Sequence, residues 1–371
     1  MKTQRVRFPD GKVSWVVLDD NYQPVQPITQ YIRYLQNLER SPNTVSNYAS
    51  HMKLYWEFLQ NACLAWTDIN LEKLADFILW LREPEPGTIS MRTCEARRSE
   101  RTINKILSAV YGFYEYHHRM GRVEDLNAYS FHVLKNRRYK PFLQHITKGK
   151  QTRTRLLRLK EPKQRVQTFT QEQVKQLITA CGNIRDKFLL CLLFESGIRI
   201  GQALGLRHED IRSWDNEIDI VPRSNNANGA RSKSRETNTI HVSQELMGLY
   251  SQYLTTEYPE DLDSDYVFVN IWSGEIGRPL TYNAVNHLFR RLSETVGIPA
   301  HAHMFRHTHA TDLIREGWNA AFVQKRLGHA DVQTTINTYM HLNDADMKAA
   351  YQDYWQKKKE ERKNIEGHEC C

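Results

Sequence analysis

The chain lacks the cysteine pairs that mark a zinc ribbon or a redox centre. Its six cysteines, Cys63, Cys94, Cys181, Cys191, Cys370 and Cys371, contain no C-x-x-C spacing. Cys181 and Cys191 sit in apolar helical sequence, which predicts buried thiols. No apolar run is long enough to span a bilayer. The start, Met1-Lys2-Thr3-Gln4-Arg5, leads into no apolar signal core, and no internal repeat is visible. Acidic residues are in deficit: 51 Lys and Arg face 43 Asp and Glu, a formal net charge of +8. These lacks point away from a membrane or disulfide-stapled protein. They predict a cytoplasmic chain with reduced thiols, and the basic surplus favours a polyanionic partner.

What is present organises into segments. At 371 residues and 40% hydrophobic content, the chain has material for two cored domains. Residues 1–23 read as a short β-hairpin extension: Val6 and Phe8 precede a Pro9-Asp10-Gly11 turn signal, and Val13, Trp15 and Val17 follow. Residues 24–134 carry helical spacing. Ile28, Ile32 and Leu35 mark one stripe. Ser41-Pro42 restarts a helix as N-cap and N1, Asn70 caps another, and a fourth begins near Thr102 with Ile106, Val110, Phe113 and Tyr114. Arg97, Arg98 and Arg101, just ahead of that helix, are either a solvated basic face or phosphate contacts.

Residues 135–167 change character. Between 135 and 165 there are twelve Lys or Arg, including Arg137, Arg138, Lys140, Arg153 and Arg155, against one acid, Glu161. Such a stretch repels itself. It reads as an extended basic linker tracking a phosphate backbone rather than as a packed element.

Residues 168–357 read as a second domain, and 358–371 as a charged tail. Thr170 with Gln173 fits a capping box. An apolar helix over 185–195 ends at Ser196-Gly197. Residues 217–221 and 239–242 alternate as strands around a polar loop holding Arg231, Lys233 and Arg235, a β-ribbon with a basic tip. A C-terminal stripe of Met347, Ala350, Tyr351 and Trp355 fits either packing in cis or exchange onto a neighbouring protomer.

The second domain concentrates residues suited to phosphodiester chemistry. Cleavage by a side chain needs a nucleophile, fixed cationic donors for the non-bridging oxygens and an acid for the leaving oxygen. Arg suits the oxygens because its fork is planar and always charged. Tyr as nucleophile stores the bond as a phosphotyrosine, so the strand can be rejoined without an external energy source. The string His303-Met304-Phe305-Arg306-His307 places His303 and Arg306 one helical turn apart; Leu327-Gly328-His329 follows, and Tyr339 lies ten residues beyond His329. Ser196-Gly197-Ile198-Arg199 supplies a second Arg.

This order resembles the tyrosine recombinase (integrase) family, with its S/T-G-x-R motif, ribbon Lys, H-x-x-R-H, L-G-H and T-x-x-x-Y blocks. Ser41-Pro42-Asn43-Thr44 and Arg101-Thr102-Ile103-Asn104 resemble that family's SAM-like core-binding domain, and the extended N-terminus looks most like the transposase A type of site-specific transposons. The resemblance implies a mainly α chain with a small β-ribbon (α+β), a helical core-binding domain and a catalytic domain. It implies that Arg199 and Arg306 clamp the scissile phosphate and that Lys233 protonates the leaving 5′ oxygen. His303 assists as acid/base, His329 bonds a phosphate oxygen, and Tyr339 forms a 3′-phosphotyrosyl bond. The implied partners are double-stranded DNA at recombination sites and a homotetramer in the synaptic complex, with partner recombinases or accessory proteins as further candidates. No cofactor or metal is implied. One departure stands out: Gln202 occupies a position often acidic in the family.

Duller readings accompany these. Arg199 fits a helix cap or a pair with Glu209 or Asp210, and Tyr339 fits plain core. His303 and His307 have zinc-ligand spacing, but no acidic third ligand sits beside them, and Arg306 would repel a cation. At the level of function, a type IB topoisomerase-like relaxing enzyme and a non-catalytic DNA-binding regulator are the alternatives.

Overall fold

A computed structural model describes residues 1–8, 13–83, 96–133, 151–162, 166–223, 225–232, 236–260, 262–272, 274–328, 351, 352, 354, 355 and 358. The chain divides into two compact units, 1–163 and 164–371.

In the first unit, β1 (Lys2–Arg7) and β2 (Val13–Leu18) pair antiparallel from Lys2 opposite Leu18 to Arg7 opposite Val13, as the Asp-Gly signal predicts. The hairpin is seated by Val17, fully buried in the helical core, and by the Val25 N–H bonding the Val17 carbonyl at 3.0 Å. Four helices follow: α1 (Gln26–Asn37), α2 (Pro42–Asn61), α3 (Leu71–Arg82) and α4 (Glu100–Arg119). Ser41, Asn70 and Ser99 cap three of them, each accepting from the backbone N–H three residues on. The core is aromatic. Tyr55 and Tyr114 share a hydroxyl–hydroxyl bond of 2.7 Å, and Tyr114 also donates to the Trp66 carbonyl, so no phenol there is stranded.

The basic segment departs from the expected extended linker. Residues 151–162 are a packed element of the first unit. β4 (Gln151–Arg155) pairs antiparallel with β3 (Tyr129–Val133), and the chain then runs along α4. Leu157 and Leu159 pack on the helical core, and Asn104 holds Leu159 through both its N–H and its carbonyl at 2.9 Å. The charge is accommodated because arginines lie over rings: Arg153 stands 3.4 Å from the centroid of Tyr129 and pairs with Glu115, and Arg155 donates to Ser108. Residues 134–150, including Lys135, Arg137, Arg138 and Lys140, lie outside the described residues.

The second unit is built around α6 (Ile184–Ser196), whose Phe188, Leu189, Leu190, Leu192 and Leu193 are fully buried. Burial of each side chain contributes about 1.5–3 kcal/mol. α5 (Gln171–Thr179) precedes it behind the complete Thr170/Gln173 capping box. The short α7 (Ile200–Ala203) leads to a three-stranded antiparallel sheet of β5 (Ile211–Arg212), β6 (Glu217–Ile220) and β7 (Asn238–His241). The expected two-stranded ribbon therefore has a third strand. α8 (Gln244–Thr256), α9 (Tyr282–Val296), α10 (Ala302–Arg315) and α11 (Ala320–Leu327) complete the unit. No helix among the described residues is long and apolar enough to cross a membrane.

Candidate active site

The site forms where α6 and α11 end. Gly197 closes α6 in the left-handed conformation (φ 64°), its N–H bonding the Leu193 carbonyl at 3.1 Å. A Cβ at this position would stand 2.5 Å from the His309 ring and 2.9 Å from Leu327, so glycine is what lets α6, α10 and α11 meet. The turn delivers Arg199 to the N-cap of α7. Arg306, on α10, is 1% exposed. It donates from Nη1 to the Gly197 carbonyl and from Nη2 to the Leu327 carbonyl, both at 2.8 Å. Arg199 Nη1 reaches the next carbonyl, Gly328, at 3.4 Å.

These partners explain how a guanidinium can be buried. The last carbonyls of a helix have no intrahelical donor and carry the negative end of its dipole. They orient both arginines without cancelling their charge, which an incoming phosphate can then meet. The duller pairing of Arg199 with Glu209 or Asp210 is displaced: Arg223 takes those carboxylates at 2.8 and 2.6 Å.

Gln202 is hydrogen-bonded at both ends of its amide. Its Oε1 accepts from the Arg199 N–H at 2.9 Å and its Nε2 donates to Ser232 Oγ at 3.4 Å, so one amide links the arginine turn to the ribbon loop. Gly201 permits that approach, since a Cβ there would lie 2.7 Å from the Arg231 carbonyl. Gly201→Ala is therefore expected to push the ribbon loop away. With the phosphodiester cleavage that the resemblance implies as readout, the single-turnover rate should fall at least tenfold with little change in unfolding midpoint; an unchanged rate would show that the contact is immaterial.

His303 is exposed one turn ahead of Arg306, its ring meeting that of His307 edge-on at 4.6 Å. Burial, with His303, Arg306 and His301 nearby, pushes His307 down to about 4, so it is neutral at physiological pH. Among the described residues, no group of three His, Cys, Asp or Glu is placed to hold a metal ion. Lys233, His329 and Tyr339 lie outside the described residues; Ser232 and Gly328, which precede the first two in the chain, stand in the site.

Sequence reasoning gave His309 no role, and the structure finds it nearly buried between α6 and α11. Arg326 donates from Nε to His309 Nε2 at 3.0 Å, which places the ring proton on Nδ1. Burial and the flanking Arg326 and Arg306 push His309 down to about 3. An unfolded chain would titrate this group near 6.5, so between pH 6.5 and 3 the unfolded state binds the extra proton. Stability is then complete above 6.5 and falls with acidification, by about 2 kcal/mol between pH 6.5 and 5 from this one group. Urea midpoints measured across that range should show the loss, and His309→Gln should flatten it; a parallel slope in the variant would assign the loss elsewhere.

Of the proposed DNA contacts, Arg153 and Arg155 are engaged within their own unit, as described above. Arg98 donates to the Leu81 carbonyl at 3.2 Å, while Arg97 and Arg101 are exposed beside it at the start of α4.

Comparison with known proteins bears on the family and the fold. Residues 167–346 match the Phage integrase family, and residues 28–121 match the Phage integrase N-terminal SAM-like domain. Transposase A from transposon Tn554 of Staphylococcus aureus is 45% identical over 98% of this chain and 100% of its own length. Tyrosine recombinase XerC of Oceanobacillus iheyensis is 26% identical over 87% of this chain and 94% of its own. Among solved structures, the Tn1549 transposon integrase in complex with a circular intermediate DNA aligns over 88% of this chain and 99% of its own, with a TM-score of 0.61 at 15% identity. XerH recombinase bound to difH substrate aligns over 89% of this chain and 84% of its own, at 0.57 and 18%; these two likenesses speak for the fold. Matched in both domains, and related to a transposase over nearly its whole length, the chain belongs to the phage integrase family of tyrosine recombinases.

Proposed function

We propose that this chain cuts and rejoins duplex DNA at specific sites through a 3′-phosphotyrosyl intermediate, moving a mobile element into or out of its target. The observation that carries this reading is the convergence of Arg199 and Arg306 on consecutive carbonyls at the end of α11, immediately before His329. A scissile phosphate seated there would meet two fixed guanidiniums. The Tyr339 oxygen attacks phosphorus, the P–O5′ bond breaks, and Lys233 gives the departing 5′ oxygen its proton. His303 takes the phenolic proton, and His329 holds a phosphate oxygen. Attack by the 5′ hydroxyl of another strand reverses the steps and frees the tyrosine. The bond energy stays in the phosphotyrosine, so no cofactor enters the balance.

In this reading residues 24–134 and the catalytic unit, residues 168–357, both contact the duplex. Arg97, Arg101, Arg137, Arg138 and Lys140 neutralise phosphates, and four protomers bring two sites together. The transposase and recombinase relatives favour strand exchange over supercoil relaxation or regulation without cleavage. The test is a nicked suicide substrate carrying the element's end. A denaturation-resistant protein–DNA adduct is expected; its absence on the cognate site would end the enzymatic reading.

A further inference from the structure

The four carbonyls that end α11 are each held by a side chain from elsewhere in the unit. Leu327 and Gly328 receive Arg306 and Arg199. The two before them receive Asn238, the first residue of β7, whose Nδ2 donates to the Lys325 carbonyl at 3.2 Å and to the Arg326 carbonyl at 3.4 Å. The tie is returned. Arg326 donates from Nη2 to the His241 carbonyl at the far end of β7 at 3.1 Å, and to the Glu195 carbonyl of α6 at 3.0 Å, while its Nε holds His309. The Glu195 side chain in turn bonds Ser243, at the start of α8. One helix end is thus fastened to the sheet at two points and to α6 and α10.

We infer that Asn238 and Arg326 are positioning residues for cleavage: they fix the carbonyl-lined end of α11 on the ribbon, and that end aims the two arginines at the phosphate. This rests on the phosphate-clamp reading of Arg199 and Arg306 given above. The reason is geometric. Both arginines take their direction from α11 carbonyls, so a shift of that helix end relative to α6 moves both guanidiniums together. Displacements of about 1 Å at reacting groups can lower rates about a hundredfold. Helix ends fray easily, and α11 has only eight residues, so its own hydrogen bonds supply little resistance. Neither Asn238 nor Arg326 is needed to touch DNA for this role.

The test separates positioning from general loss of packing. Asn238→Ala, Asn238→Asp and Arg326→Met would be compared in single-turnover adduct formation on two suicide substrates. One carries a normal scissile phosphate; the other carries a methylphosphonate, whose missing negative charge removes most of the need for a guanidinium clamp. On the phosphate substrate each variant is expected to slow ten- to a hundredfold, with the Kd for the site within twofold of wild type. Asn238→Asp should be at least as slow as Asn238→Ala, because it keeps the shape, loses the donor and sets a negative charge against the carbonyl end of α11. On the methylphosphonate the defect should shrink to threefold or less, as it should for Arg199→Ala, the reference for a lost clamp contact. Equal slowing on both substrates would overturn the positioning role, and so would wild-type rates on the phosphate. If Arg199→Ala itself is not relieved by the methylphosphonate, the clamp reading fails instead. If wild type forms no adduct with the normal phosphate, the enzymatic reading fails.

Discussion

Tyr339→Phe is expected to abolish the covalent adduct while leaving the Kd for the recombination site unchanged. The change removes one oxygen and keeps the ring. In the proposed reaction that oxygen is the attacking atom, and removing a nucleophile from an interdependent catalytic set lowers rates on the order of 10⁶-fold. The chain has 18 tyrosines, but the phenols of the cores are poor substitutes. Burial pushes Tyr250 up to about 12 and raises Tyr55, Tyr114 and Tyr253 as well, which disfavours the phenolate. Tyr55 and Tyr114 are further tied to each other. An adduct of undiminished yield in Tyr339→Phe would transfer the nucleophile to another residue, and peptide mapping of the DNA-linked fragment would name it.

How much of this was legible in the sequence depended on how local each determinant is. Caps at Ser41, Asn70 and Thr170 and the Asp-Gly hairpin were readable because the residues that make them lie within a few positions of one another. The arginine motifs were readable because each sits in a short string of distinctive composition. The pairing of β3 with β4 was not. Gln151-Thr152-Arg153-Thr154-Arg155 has no apolar face, and its stability comes from rings and hydrogen-bond partners more than thirty residues away, such as Glu115 and Ser108. Charge density alone therefore suggested an extended strap where the fold has a strand. β5, two residues long, offers too little sequence to show a period. Gly201, Asn238 and Arg326 were silent for the same reason as β4: what matters about them is a contact across 30 to 131 residues of chain, between elements whose approach only the tertiary structure defines. Gln202 lies between these cases. The sequence marked it as a departure; only the fold shows that it accepts from the Arg199 N–H and reaches Ser232.

The two arginines of the proposed clamp should separate when each is replaced by alanine. Both variants are expected to lose cleavage by about 10²–10³-fold, the usual consequence of removing one donor to developing charge. Only Arg306→Ala should also lose substantial stability. Among the described residues its side chain is the largest fully buried one, and its removal leaves the buried Gly197 and Leu327 carbonyls without that donor. Each such unpaired group costs about 1–3 kcal/mol, before any term for the cavity. Arg199 is half-buried and its bond to Gly328 is longer, at 3.4 Å, so its loss should move the unfolding midpoint less than the loss of Arg306 does. Arg306→Lys sharpens the distinction. It keeps the charge, but an ammonium lacks the planar fork that spans two carbonyls, so stability should recover only in part and cleavage should stay low. Urea unfolding and single-turnover cleavage on the same preparations decide the matter. Equal destabilisation by Arg199→Ala would mean that Arg199 supports the fold as Arg306 does. Cleavage by Arg306→Ala within tenfold of wild type would mean that the buried guanidinium holds the helix ends together without meeting the phosphate at all.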